Sequence, residues 1–184
     1  MINEQFMESD MKSPGPGMFK IYISSDKKQL YKKIKNPIKN IDLYKKKINE
    51  AINNDLICIY IYKPNNIYIT NDGSYYCEYI KNGIRLYDIN INSNIDKIIL
   101  KHLKECIIDI KKDLNNYCTR IKKLNGDWAL HNLVYCIDTK QIYNVDLEGF
   151  YTYPHINHND QCCNINYINN CFNELIHIID KKII

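Results

Sequence analysis

The sequence predicts an α+β protein organised as two lobes. Three observations predict this fold class. Short alternating apolar segments between turn residues dominate residues 18–81, one helical pattern interrupts them, and two longer helical patterns follow around a short hairpin. The chain of 184 residues suits one domain or two small lobes and is long enough to bury a core. Its 45% hydrophobic and 25% charged residues exclude a wholly disordered chain.

The first lobe is predicted at residues 18–81, after a flexible tail at residues 1–17. Apolar alternation between turn residues predicts strands at residues 18–24, 29–35, 56–62, 67–70 and 74–80. Between the second and third strands, apolar residues recur at helical spacing over residues 41–53, with Asn40 as the N-cap. The first lobe is therefore expected to be a small antiparallel sheet with one inserted helix.

The second lobe is predicted at residues 82–184 and is mostly helical. Apolar residues at steps of three and four predict a long helix over residues 95–123 and a last helix over about 164–180. Two short strands between the helices, at residues 133–137 and 142–145, predict a hairpin closed by a turn at residues 138–140.

Several classes of protein do not fit the composition. No apolar run approaches the ~18 residues that span a membrane and the N-terminus is polar, so we predict no membrane span, no signal peptide and a cytoplasmic protein. Most of the eight cysteines lie in apolar segments and are predicted to be free thiols. Zinc-binding atoms occur at His155, His158, Cys162 and Cys163, but their spacing is poor, and a polar loop is the preferred interpretation.

One stretch of the sequence carries the groups that phosphoryl transfer requires. Asp127 and Asn132 lie five residues apart in a loop after the long helix, and the hairpin delivers Asp146 fourteen residues after Asn132. In phosphoryl transfer, one carboxylate orients the acceptor hydroxyl and takes its proton, while an amide and a second carboxylate hold Mg²⁺ against the nucleotide phosphates. The hairpin allows two loops that are distant in sequence to converge on one metal ion.

The segment Gly126-Asp127-x-x-x-x-Asn132, followed by Asp146-Leu147-Glu148-Gly149, resembles the protein-kinase-like superfamily. It looks closer to the aminoglycoside phosphotransferase and lipopolysaccharide-kinase branch than to eukaryotic protein kinases. The resemblance implies a two-lobed kinase-like fold that uses ATP and Mg²⁺, with Asp127 as catalytic base and Asn132 and Asp146 as metal ligands. The sequence departs from the family at Asn125, where the family usually has His.

Upstream residues follow the same order as the family. Lys32 is our choice for the phosphate-binding lysine, because alternation places it on one face with Leu30 and Ile34, and Lys33 is the reserve. Glu50, in the predicted helix, resembles the carboxylate that pairs with this lysine. The segment at 76–82 looks like the hinge strand that holds adenine, and the segment at 15–22 resembles a degenerate glycine-rich loop.

Three functions remain open at this point. The first is a phosphotransferase acting on a small molecule, sugar or glycan, because the residues after Gly149 leave little room for a peptide-binding platform. The second is a pseudokinase that serves as a nucleotide-binding or protein-interaction module. The third is an unrelated basic binding protein that contacts nucleic acid through residues 45–47; nucleic acid is not expected, because the lysines spread over several faces and the net charge is only +4.

Overall fold

The computed structural model describes residues 6–8, 21–24, 28–34, 42–43, 45–46, 49, 58–64, 66–71, 73–91, 94–121, 126–146 and 164–184. These residues form an α+β protein with two antiparallel sheets and two long helices, as the fold class predicted. The chain divides into two compact units. The first comprises Met1–Lys46 and Lys63–Lys81, and the second comprises Lys47–Tyr62 and Asn82–Ile184.

A five-stranded antiparallel sheet forms the first unit. Its strands are β1 (Phe6–Glu8), β2 (Ile21–Ser24), β3 (Leu30–Lys33), β4 (Ile67–Ile69) and β5 (Tyr75–Tyr79). They lie in the order β1-β2-β3-β5-β4, so β3 is the central strand. Isoleucine and tyrosine side chains fill the core of this unit, as expected for β-branched and aromatic residues on a pleated surface.

The turn between β4 and β5 depends on a glycine. Gly73 has φ of 78°, in the left-handed region that glycine adopts without a steric penalty. Its amide donates to the Thr70 carbonyl at 2.9 Å, and the Thr70 amide donates to the Ser74 carbonyl at 2.9 Å. These bonds close the turn and fix the register of β4 against β5.

The second unit combines a three-stranded sheet with two helices. The sheet contains β6 (Gly83–Arg85), β7 (Leu133–Cys136) and β8 (Gln141–Asn144), in that order. Helix α1 (Lys97–Ile121) packs against helix α2 (Ile165–Ile183). Each helix presents a buried apolar face at helical spacing, formed by Leu100, Leu103, Ile107, Ile110, Leu114, Ile168, Phe172, Leu175 and Ile179.

Polar bonds line the margin of the helix pair. Lys104 Nζ lies 2.6 Å from Asp180 Oδ1 across the two helices. The amides of Asn115 and Asn169 donate to each other, with Nδ2–Oδ1 distances of 3.1 and 2.9 Å. These bonds fix how the two helices are aligned along their length, whereas the stability of their contact comes from apolar burial.

The helices and the hairpin confirm the sequence predictions closely. Helix α1 lies within the predicted 95–123, and α2 begins after Asn164, whose Oδ1 accepts from the amides of Asn166 and Tyr167 as an N-cap does. Strands β2, β3, β4, β5, β7 and β8 each lie on a predicted strand. Of the predicted helix over 41–53, the described positions are 42, 43, 45, 46 and 49, and all have helical backbone.

The strand predicted at residues 56–62 is wrong. Cys58–Tyr60 forms a 3₁₀ helix, and Ile61 then makes an isolated parallel bridge with Asn144 in β8. Tyr60 Oη donates to Asp113 Oδ2 on α1 at 2.7 Å, and burial together with this carboxylate raises the pKa of Tyr60. The segment is apolar because it packs within the second unit. The alternating pattern could not distinguish this position from that of a strand in the first sheet.

Two further findings concern the composition. Five cysteines are free thiols, as predicted: Cys77, Cys106, Cys118, Cys136 and Cys171. Among the described residues, no helix has the length and apolar character needed to cross a membrane.

Strands β1 and β6 were not predicted, and each has three residues.

Candidate functional site

The loop that carries Asp127 begins at a glycine and is anchored by a tryptophan. Gly126 is buried and has φ of 78°, a conformation in which a side chain would be strained. Trp128 is fully buried, whereas the Asp127 side chain between them keeps 25% of its surface exposed. Asp127 Oδ1 accepts a hydrogen bond from the Ala129 amide at 2.9 Å. The anchored neighbours therefore hold Asp127 at the surface of the loop.

Asn132 ends the short 3₁₀ helix Leu130–Asn132 and joins the Asp127 loop to the end of the hairpin. Its side chain is only 3% exposed, and Nδ2 donates to the Asp127 carbonyl at 3.4 Å. Its own carbonyl accepts from the Val145 amide at 2.9 Å. The bond to Asp127 uses Nδ2 and not Oδ1, which is the atom that would bind a cation.

Asn144 makes a second and shorter connection between the same two segments. The residue ends β8 and is fully buried. Its Nδ2 donates to the Asp127 carbonyl at 2.7 Å, and its Oδ1 accepts from the Asp146 amide at 2.9 Å. One side chain thus contacts the backbone of both aspartates.

The two carboxylates affect each other electrostatically. Burial is the main cause that raises the pKa of Asp127, and the charge of Asp146 raises it further. The Ala129 amide, His131 and Asn132 act in the opposite direction. His131 Nε2 lies 4.0 Å from Asp127 Oδ2. The result is a carboxyl group that takes up a proton more readily than an exposed aspartate does.

The predicted metal ligands carry oxygen atoms, which are the atoms that a hard cation such as Mg²⁺ binds. Among the described residues, no three His, Cys, Asp or Glu side chains group closely enough to hold a metal ion. The predicted metal ligands, Asn132 and Asp146, differ from such a group, because they are one amide and one carboxylate, and Mg²⁺ is commonly held by one or two carboxylates together with substrate phosphates. Asn132 Oδ1 and the half-buried Asp146 carboxylate are oxygen atoms of the kind that Mg²⁺ prefers.

Lys32 lies in the first unit, on the central strand of its sheet. It pairs with Ile21 of β2 and Cys77 of β5, and it is only 4% exposed. Lysine is almost never buried to this degree without a partner. Lys33 is half-buried instead, with Nζ 5.7 Å from the centre of the Tyr76 ring. Burial therefore distinguishes the preferred lysine from the reserve.

Several predicted residues lie outside the described part of the chain: Glu50, Asn125, Leu147, Glu148, Gly149, residues 15–20 of the candidate glycine-rich loop, and the zinc candidates His155, His158, Cys162 and Cys163. The structure brings Asp127, Asn132 and Asp146 together within the second unit. The roles assigned to these three residues and to Lys32 and Glu50 stay predictions.

Two residues of the site were missed from the sequence. Asn144 shares the buried face of β8 with Ile142, so an amide stood at a position where alternation calls for an apolar residue. His131 follows Asp127 by four residues, so the sequence places an imidazole ring near the carboxylate. Both signals were present, although an asparagine is easily overlooked in an Asn-rich sequence.

The chain matches no protein-family model and has no significant match among curated proteins. We therefore infer the function from the chain's own residues and from the groups that surround Asp127 and Asp146.

Proposed function

We propose that the protein is an ATP- and Mg²⁺-dependent phosphotransferase of kinase-like, two-lobed fold that acts on a hydroxyl group of a small molecule, sugar or glycan. The observation that carries the proposal is the joining of two loops by Asn144, which bonds to the backbone of Asp127 and of Asp146. Two loops bearing carboxylates, brought together in this way, supply a base and a metal ligand side by side.

Asp127 is proposed as the group that accepts the proton of the acceptor hydroxyl. Burial and the charge of Asp146 raise its pKa, which makes its ionised form a stronger base than an exposed aspartate. Its Oδ1 is engaged by the Ala129 amide. The acceptor would therefore meet Oδ2, and the role of the loop is to orient that oxygen.

Asn132 and Asp146 are proposed to hold Mg²⁺ together with the nucleotide phosphates. When bound, the ion neutralises the negative charge that develops on the transferred phosphoryl group. Asn132 is suited to this role because it is buried and its carbonyl accepts a hydrogen bond from the Val145 amide. Its backbone is therefore fixed before an ion binds. Lys32, paired with Glu50, is proposed to contact the phosphates.

A nucleotide-binding or protein-interaction module without transfer activity is the second candidate. One observation favours it: the bond from the Ala129 amide to Asp127 Oδ1 closes a local backbone turn, which is a common structural use of aspartate. In that case Asp127 would stabilise the loop and would not act on an acceptor.

Thermal unfolding with ligands tests the metal assignment. We expect ATP with Mg²⁺ to raise the midpoint of unfolding more than ATP alone, and Asp146→Asn to abolish the Mg²⁺-dependent part of the rise because the amide lacks the charge of the carboxylate. Asp109→Asn, which removes an exposed carboxylate on α1, is the matched control and should keep the full effect.

The outcome of this experiment separates the candidates. A Mg²⁺-dependent rise together with phosphate transfer to a panel of sugars and hydroxylated metabolites supports the phosphotransferase. The same rise without transfer supports the module. Stabilisation by oligonucleotides in place of nucleotide would contradict both candidates, and unchanged Mg²⁺ dependence in Asp146→Asn would remove Asp146 from the metal site.

A further inference from the structure

Both polar atoms of the Asn144 side chain, Nδ2 and Oδ1, form hydrogen bonds. The side chain is fully buried, so its amide group has no access to solvent. A buried amide without partners costs several kcal/mol in an apolar environment, on the order of 2–7 kcal/mol by transfer measurements. Asn144 avoids this cost by donating to the Asp127 carbonyl at 2.7 Å and accepting from the Asp146 amide at 2.9 Å.

The backbone of Asn144 is held as firmly as its side chain. It pairs with Leu133 in the antiparallel ladder of β7 and β8, next to Asn132. Its carbonyl accepts from the Tyr62 amide at 3.0 Å, on the side of the bridge to Ile61. The amide group therefore projects from a rigid element, and side chains on rigid elements position a site more accurately than side chains on loops.

The pattern of donor and acceptor selects asparagine at this position. Leucine has similar size but forms neither bond. Aspartate keeps the oxygen that accepts from Asp146, but it presents a second oxygen to the Asp127 carbonyl, where a donor is required. Glutamine carries both groups on a longer stem, which a well-packed interior accommodates poorly.

We propose that Asn144 is a positioning residue of the transfer reaction, which fixes the separation of Asp127 from Asp146 by bonding to the backbone of both. This inference rests on the proposed phosphotransferase function. Asn144 touches neither the acceptor nor the nucleotide in this role. It acts on the two carboxylates, one of which must meet the acceptor hydroxyl while the other meets the metal ion.

The test compares wild type with Asn144→Asp, and uses Gln141→Glu as the matched control. Gln141 lies on the same strand but is exposed, and its Oε1 accepts from Tyr143 Oη, a bond that glutamate retains. We expect Asn144→Asp to lower kcat/KM by about 10²-fold, the size of effect that a 1 Å misplacement produces. The loss should lie in kcat with KM close to wild type, because the two carboxylates act on the transition state, whereas Gln141→Glu should match wild type in both constants.

Hydrogen exchange of the Asp146 amide supplies a measurement that does not depend on activity or on the folding of a variant. In the wild-type protein this amide should be protected, because it donates to a fully buried oxygen. Exchange at the rate of an unprotected amide would overturn the inference.

The remaining outcomes separate the inference from the function on which it rests. An active wild type with an Asn144→Asp variant that keeps its kcat/KM overturns the role of Asn144 alone. A variant that loses stability but keeps the kcat of wild type also overturns it, because a merely structural residue would behave in that way. A wild type that neither binds ATP with Mg²⁺ nor transfers phosphate overturns the proposed function and, with it, the catalytic role of Asn144.

Discussion

The helix pair and the loop pair of the second unit are held together by different forces. Helices α1 and α2 pack through apolar side chains that recur at every turn, such as Ile110 and Phe172. The loops of Asp127 and Asp146 are joined instead by directional bonds, of which Asn144 makes two. The first contact is spread over many residues, whereas the second depends on very few.

This difference indicates how each region responds to substitution. Hydrophobic burial scales with area and does not require a given orientation, so the helix pair determines how stable the unit is. Hydrogen bonds between buried groups require a given geometry, so the loop pair determines where the carboxylates lie. We therefore expect substitutions in the helices to change stability and substitutions in the loops to change chemistry.

The largest effect on stability should come from the helix pair. Phe172 is fully buried on α2, and Phe172→Ala should lower the free energy of unfolding by about 3–5 kcal/mol, because it removes apolar burial and leaves a cavity. Chemical denaturation measures this loss. Asn170→Ala, an exposed position on the same helix, is the control and should stay close to wild type. A loss below about 1 kcal/mol for Phe172→Ala would contradict the assignment of stability to this contact.

Asp127→Asn should show the opposite pattern, with a large loss of turnover and a small change in stability. The amide retains an oxygen that can accept from the Ala129 amide, so the turn is preserved, but it cannot act as a base. Turnover should fall by at least ~10²-fold while the affinity for ATP with Mg²⁺ stays almost unchanged.

Steady-state kinetics and nucleotide titration check the Asp127 prediction. Asp138→Asn, in the exposed turn of the hairpin, is the matched control and should keep wild-type turnover. If Asp127→Asn weakens nucleotide binding and stability together, Asp127 has a structural role in the turn, and the comparison between the two regions fails at that residue.

The smallest effect concerns the pH dependence of stability. Because the pKa of Asp127 is raised in the folded protein, its contribution to stability is fully present below the unfolded pKa of about 3.9 and is lost as the pH rises through the folded pKa. Unfolding of wild type and Asp127→Asn should be compared over a series of pH values. The stability of the variant relative to wild type should increase as the pH rises through this window. A decrease would mean that the pKa of Asp127 is lowered.

Much of the fold was predictable because its elements have strong periodic patterns. The 25 residues of α1 repeat the helical spacing over several turns, and Asn164 caps α2 through its side chain. The segment 58–62 was not predictable in the same way. Its alternation indicates that one face is buried, as Ile61 is, but the partner strand is chosen by tertiary packing, and here the partner is Asn144.

The candidate site was predictable only in part, for a related reason. The spacing of Asp127, Asn132 and Asp146 is a feature of the sequence, and the three residues do lie together in the second unit. The sequence places the amide of Asn144 on the apolar face of β8, but it does not indicate what that amide bonds to. Both partners are backbone groups of other residues, and backbone groups are the same at every position.

The turn of the hairpin has a consequence for the tolerance of this protein to substitution. Lys140 is exposed and has φ of 54°, a left-handed conformation in which a side chain is disfavoured and glycine or asparagine is preferred. A replacement by glycine would relieve this strain at the far end of the hairpin from Asn144, without altering the groups around Asp127. Replacing Lys140 would therefore add stability that offsets damaging changes elsewhere, so the loops that determine the chemistry could be varied more freely in that background.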